Sequence, residues 1–236
     1  MKIGPVTTAQ FQRLALTWDQ GDHILVTGPT KCGKTELARL LDEIRIQRGG
    51  FVACFVCKLQ PDETILRSYK GWTRWKTWKT RVGVHENRVL FWPDVEGKNM
   101  REAKAIMKYE FMRALDIIAK TGKWTVHIDE GLFVSSPAYL GLGEDLGMMY
   151  SLIRSAKGTM ITLAQRPSHL PLALYANLSH AFIGRASEAA DLKRLADMDG
   201  VNSKELAQII KGNQLHDFTW VKLGTFEPPE QVNIAR

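Results

Sequence analysis

The chain of 236 residues is 44% hydrophobic and 24% charged, enough apolar material for a full core and within the size range of one α/β domain. No apolar run approaches the roughly 20 residues that span a bilayer, and Met1-Lys2-Ile3-Gly4-Pro5 lacks a signal-peptide stretch, so we expect a protein of the cytoplasm. A formal charge of +7 and a pI near 9.3 fit either a polyanionic partner or a basic surface that serves solubility, and three cysteines, an odd number, do not make a disulfide framework.

In chain order the pattern predicts a helix over 7–17, a strand at 23–27, a helix over 34–48 and a strand at 51–58. A basic, tryptophan-rich excursion follows at 62–85, then a strand at 88–92, a helix over 99–120 and a strand at 124–128. A loop runs to about 143, followed by a helix over 144–156 and a strand at 159–164. A mixed tail then has strands near 180–184 and 217–222. Strands separated by helices predict an α/β fold with a mostly parallel sheet flanked by helices on both faces. No repeat or linker divides the chain, so we expect one domain over 1–236, with a helical lead-in at 1–20 and a loose tail at 223–236.

Gly28-Pro29-Thr30-Lys31-Cys32-Gly33-Lys34-Thr35 reads GxxxxGKT between an apolar strand and an amphipathic helix, the order a phosphate-binding loop requires. The glycines let backbone N–H groups turn inward, and the helix N-terminus adds partial positive charge. Lys34 reaches the β- and γ-phosphates, and the Thr35 hydroxyl can ligate Mg²⁺. Cys54 and Cys57 form a lone CxxC, but side-chain alternation along a strand sends them to opposite faces, so we expect buried packing rather than a zinc or redox site.

Trp124-Thr125-Val126-His127-Ile128-Asp129-Glu130 is an apolar strand ending in two carboxylates, the form of a Walker B motif. Asp129 can hold Mg²⁺ and Glu130 can polarise a water for in-line attack on a γ-phosphate. The adjacent Glu favours hydrolysis over phosphotransfer, because a kinase must keep water away. His127 reads as a strand residue with a satisfied hydrogen bond rather than a catalytic group. A third apolar strand, 160–164, ends in Gln165-Arg166-Pro167; in a parallel sheet strand C-termini line the ligand crevice, so Gln165 would stand beside the phosphates.

At GPTKCGKT, WTVHIDE and TLAQRPS the chain resembles the FtsK/HerA superfamily of P-loop ATPases, ring-forming DNA translocases with a RecA-like sheet, whose members include conjugation and virus genome-packaging ATPases. The resemblance implies ATP and Mg²⁺ as cofactors, Lys34, Glu130 and Gln165 as catalytic residues, and Thr35 and Asp129 as the metal's ligands. It also implies a homo-oligomeric ring acting on double-stranded DNA, with a capsid portal or other docking protein as a further partner, in the host cytoplasm if the chain is viral. A compact motor of this length looks most like the small packaging ATPases of viruses and phages or a mobile-element relative. Two other readings stay open: a P-loop small-molecule kinase, and a nucleotide-gated DNA-binding or loading ATPase.

A ring motor takes an arginine from the neighbouring subunit to stabilise developing phosphoryl charge. Arg154, Arg166, Arg185 and Arg194 qualify by position, and Arg185, after the apolar run 181–184, is our first choice. For DNA, the segment between Thr64 and His85 has six basic residues and no acids, with Arg74, Lys76, Lys79 and Arg81 as candidate phosphate contacts. Trp72, Trp75 and Trp78, spaced by three, would gather on one face of a helix. This segment is thus either a DNA or subunit contact or a packed tryptophan face ringed by solvated charge.

Overall fold

The structure, a computed structural model, describes residues 5–60, 62–80, 86–198, 203–225 and 227–234. Its first half comprises β1 (Pro5–Val6), α1 (Thr8–Ala15), β2 (His23–Thr27), α2 (Lys34–Gln47), β3 (Phe51–Phe55), α3 (Glu63–Ser68), β4 (Thr73–Trp75), β5 (Arg88–Phe91) and α4 (Met100–Thr121). Then come β6 (Trp124–Ile128), α5 (Gly131–Ser135), α6 (Gly143–Leu152), β7 (Thr159–Ala164), α7 (Leu172–Tyr175) and β8 (Leu178–Ile183). The last elements are α8 (Ala189–Ala196), α9 (Ser203–Gly212), β9 (Asp217–Lys222) and β10 (Glu230–Asn233).

Residues of β2, β6 and β7 are buried along their whole length, as strands covered on both faces must be, and so they read as mostly apolar runs, with His23, Thr27, Thr125, His127, Thr159 and Thr162 as buried polar exceptions. Among the described residues ten strands form one sheet in the order β1-β10-β9-β8-β2-β7-β6-β3-β5-β4, and β9 alone runs against its neighbours. α1 and α2 cover one face, closing Ile24, Val26, Phe182 and Trp220 under Phe11, Leu37 and Leu41. On the opposite face Phe111, Leu146, Leu195 and Ile210 of α4, α6, α8 and α9 lie over Leu25, Val126 and Ile183. The expected α/β architecture, helices on both faces of a mostly parallel sheet, is what the chain adopts.

Local chemistry sets several boundaries. Asn99 caps α4 by accepting from the N–H groups of Arg101 and Glu102, while the Glu102 carboxylate accepts from the Asn99 N–H. Thr7 and Gln10 build the same reciprocal box at α1.

Several expectations need correction. The excursion at 62–85 carries α3 and then β4, and β4 joins the sheet as its edge by parallel pairing with β5, Trp75 opposite Phe91. The tryptophans therefore do not line a helix. Trp75 and Trp78 are buried against Phe55, Phe91 and Trp124, where truncating either to Ala would cost about 3–5 kcal/mol. Trp72 instead packs on Tyr69 beside Cys54, Val56 and Ile65 on the other face. Cys54 and Cys57 are both buried and in separate apolar clusters, as alternation requires. The tail at 223–236 is not loose throughout, because β10 pairs with β9 and the lead-in contributes β1 beside β10. The loop before 143 holds α5, and the mixed tail holds α8 and α9.

Candidate nucleotide site

The phosphate loop connects the C-terminal end of β2 to the first turn of α2, in the middle of the sheet. Gly28 donates to the Ala164 carbonyl (3.2 Å), and Gly184 donates to Thr27 (2.7 Å), so β7 and β8 brace the loop from both sides. A Cβ at Gly28 would sit 2.8 Å from Cys32 Sγ and 3.2 Å from Gly184 Cα. Gly33 precedes α2 at φ +97°, and a Cβ there would meet His216 Nδ1 at 2.7 Å and Ile234 Cδ1 at 3.0 Å. No side chain caps α2, which leaves its first N–H groups for an anion. Lys34 folds back over the loop, donating to the carbonyls of Gly28 and Pro29 at 2.9 Å each.

β7 lies between the loop strand β2 and the carboxylate strand β6, so Gln165, at the end of β7, falls between the two halves of the site. Its amide has a partner on each side: Thr30 Oγ1 donates to Oε1 (3.2 Å), and Nε2 donates to Glu130 Oε2 (3.2 Å). Glu130 Oε1 is buried without a partner, an acceptor aligned with no protein donor. Burial pushes the Glu130 carboxyl above its usual range, opposed by the Gln165 hydrogen bond. Burial also raises Asp129, against the pull of His127 and Lys58. His127 is spent on structure: its Nδ1 lies 2.8 Å from Asp42 Oδ2, both side chains wholly buried.

Thr35 and Asp129 supply hard oxygen donors, which suit Mg²⁺, and among the described residues no group of three or more His, Cys, Asp or Glu offers another metal site.

The four arginines separate clearly. Arg154 donates to the Gly21 carbonyl and Ser179 Oγ at the N-terminal ends of β2 and β8, on the wrong edge of the sheet for the phosphates. Arg166 is held by Asp191 (2.8 Å) and Glu188 (2.5 Å), and Ser168 also bonds Asp191, locking the turn after β7 onto α8. Arg194 lies over the Tyr175 ring. Arg185 is exposed just past Gly184, beside the loop, and makes no ion pair among the described residues. The partners Glu188 and Asp191, over 20 residues downstream of Arg166, carried no signal in the sequence.

The DNA candidates look less free than their acid-poor segment suggested. Lys76 pairs with Asp94 (2.6 Å), Lys79 pairs with Glu86 (2.7 Å) and lies over Trp75, and Arg74 lies over Trp92. Arg81 lies outside the described residues.

No protein-family model and no curated protein matches the sequence. The sheet order, the loop and its helix give the chain the α/β fold of the P-loop ATPases. Solved structures share that fold over nearly their whole lengths. The genome-packaging NTPase B204 from Sulfolobus turreted icosahedral virus 2, in complex with AMPPCP, aligns with a TM-score of 0.65 at 15% identity, over 92% of this chain and 100% of that one. VirB4 of Thermoanaerobacter pseudethanolicus aligns with a TM-score of 0.67 at 10% identity, over 91% and 89%. B204 from Sulfolobus turreted icosahedral virus, described as a DNA-packaging ATPase, gives 0.61 at 13%, over 93% and 100%. The expected likeness to DNA-motor ATPases thus finds its support at the level of the fold.

Proposed function

We propose that this chain hydrolyses ATP and uses the cycle to move double-stranded DNA, without reading its sequence, as one subunit of a homo-oligomeric ring. The observation that carries this reading is the hydrogen-bonded line from Thr30 through Gln165 to Glu130, which joins the phosphate loop to a buried carboxylate. Backbone N–H groups of the loop and α2 hold the β- and γ-phosphates, and Lys34 swings from the loop carbonyls to the γ-phosphate. Glu130 accepts the proton of the attacking water through Oε1, and burial raises its affinity for protons. Gln165 keeps that carboxylate aimed and links it to Thr30, so a change at the γ-phosphate is felt at the base. Thr35 and Asp129 would hold Mg²⁺, whose charge offsets that of the phosphate oxygens. Arg185 would act on the neighbouring subunit's nucleotide, which its exposure allows.

The resemblance in fold to a genome-packaging NTPase supports packaging or DNA transfer as the task, with a capsid portal or similar docking partner. The three buried free cysteines, and the lack of any helix long and apolar enough to cross a membrane among the described residues, are compatible with work in the cytoplasm. The test is ATPase activity with and without duplex DNA, alongside a mass measurement with a non-hydrolysable analogue. DNA should raise turnover and the analogue should favour the ring. Hydrolysis indifferent to DNA at every protein concentration would sink the motor, and phosphate appearing on an added acceptor would make the chain a phosphotransferase.

A further inference from the structure

At the opposite edge of the sheet from the nucleotide site, a cavity of about 240 Å³ is lined by Gln20, Arg45, Arg48, Phe51, Lys123 and Lys157 among others. These residues come from the approaches to four central strands: Gln20 before β2, Phe51 opening β3, Lys123 before β6 and Lys157 before β7. About 17 Å of strand separates them from the phosphate loop.

The pocket holds four cationic side chains and no acid in its lining, and none of the four makes an ion pair among the described residues. Arg88 and Arg166, by contrast, have carboxylate partners in Glu43 and Asp191. Arg45 is 3% exposed; its Nη1 donates to the Trp18 carbonyl, which also accepts from Arg48, while its Nη2 is buried with no acceptor. Asp19 and Asp22 act on Arg45 only through their charge. Burial and then the neighbouring Arg48 pull its pKa down to about 10, the mark of a positive charge short of compensation. Lys123 and Lys157 have positive φ, 63° and 55°, where glycine would sit without steric cost. Both lysines are exposed, so packing does not explain a long cationic side chain at either position.

We infer that this pocket is a second phosphate site, taking a phosphate group of a nucleic-acid backbone or of a free polyphosphate. Arg48, Lys123 and Lys157 would contact the oxygens, Gln20 would add an amide donor, and Arg45 would supply positive potential from behind. The inference stands apart from the proposed motor function, because it uses none of the same residues.

The test uses the whole chain with its glycine loop saturated by a non-hydrolysable ATP analogue and Mg²⁺. Wild type and the double variant Lys123→Gly/Lys157→Gly are each titrated with inorganic pyrophosphate, and separately with a short DNA duplex over 50–200 mM salt. Glycine accepts both backbone conformations, so the variant should keep its melting temperature within a few degrees and its basal ATPase rate. Pyrophosphate should bind the variant at least tenfold more weakly. If nucleic acid is the source, the dependence of log K on log salt should also become shallower by about 2. A loss confined to pyrophosphate assigns a free polyphosphate. Equal binding of both probes by wild type and variant would overturn the site, as would an acidic peptide that occupies the wild-type pocket when pyrophosphate does not.

Discussion

The two ends of the central strands solve opposite problems with the same scaffold. At their C-terminal ends, acids face a glycine loop: Asp129 and Glu130 are both held above their usual pKa range by burial, and Glu130 keeps one oxygen without a protein partner. At the N-terminal ends polar groups are largely spent on one another. His23 accepts the Met160 N–H at Nδ1 (3.1 Å) and lies 3.0 Å from the Tyr150 carbonyl at Nε2, and Arg154 ties Gly21 to Ser179. One end stores unmet electrostatic demand for chemistry, and the other, outside its basic pocket, uses polar groups as fasteners. Stability and turnover should therefore respond to different residues.

The largest break in that contrast is Glu130→Gln. Turnover should fall about 10²-fold or more while nucleotide binding and melting temperature hold, read by phosphate release beside a binding titration; unchanged turnover would remove Glu130 from the chemistry. Acid should strike the other end. The His23 pKa is lowered to about 4, chiefly by burial and then by Arg154, so the unfolded chain binds more protons than the folded one between pH 6.5 and 4. The stability of neutral His23 is thus present above pH 6.5 and lost as pH falls towards 4, by about 3 kcal/mol in all. Urea unfolding of wild type against His23→Gln across that window should show the slope difference, and parallel slopes would refute the assignment. Gln165→Ala comes next, with a turnover loss of about tenfold and little change in nucleotide affinity, since it aligns the base without replacing it. The smallest effect sharpens the choice among arginines. Arg185→Ala should slow assembled protein only, and wild-type subunits mixed in should restore activity in trans, whereas Arg166→Ala should lower melting temperature by a few degrees through its lost carboxylate partners.

The central strands were legible because burial on both faces writes itself as a mostly apolar run; 23–27, 124–128 and 159–164 were read with their observed bounds. The glycine loop and the paired carboxylates were legible for a related reason, as their spacing is local. Tryptophans at spacing three misled, because a short strand followed by a turn also brings Trp75 and Trp78 to one core, and only pairing with β5 decides between the two. β1 and β10 are two and four residues long, and β1 exists through a partner more than 200 residues away, which no local pattern records. Separation along the chain also hid the acids that hold Arg166, 22 and 25 residues away, and the gathering of Arg45, Arg48, Lys123 and Lys157 from separate turns into one pocket.

Gly33 has a mechanical consequence. With no Cβ there, His216 and Ile234 come up against the backbone of the phosphate loop, and the Ile234 N–H donates to the His216 carbonyl (3.1 Å) directly after the last strand. A force applied along that strand is transmitted to the start of α2 by contact, without crossing the middle of the sheet. The second strand from the sheet's edge would thus double as a tension gauge on the phosphate loop.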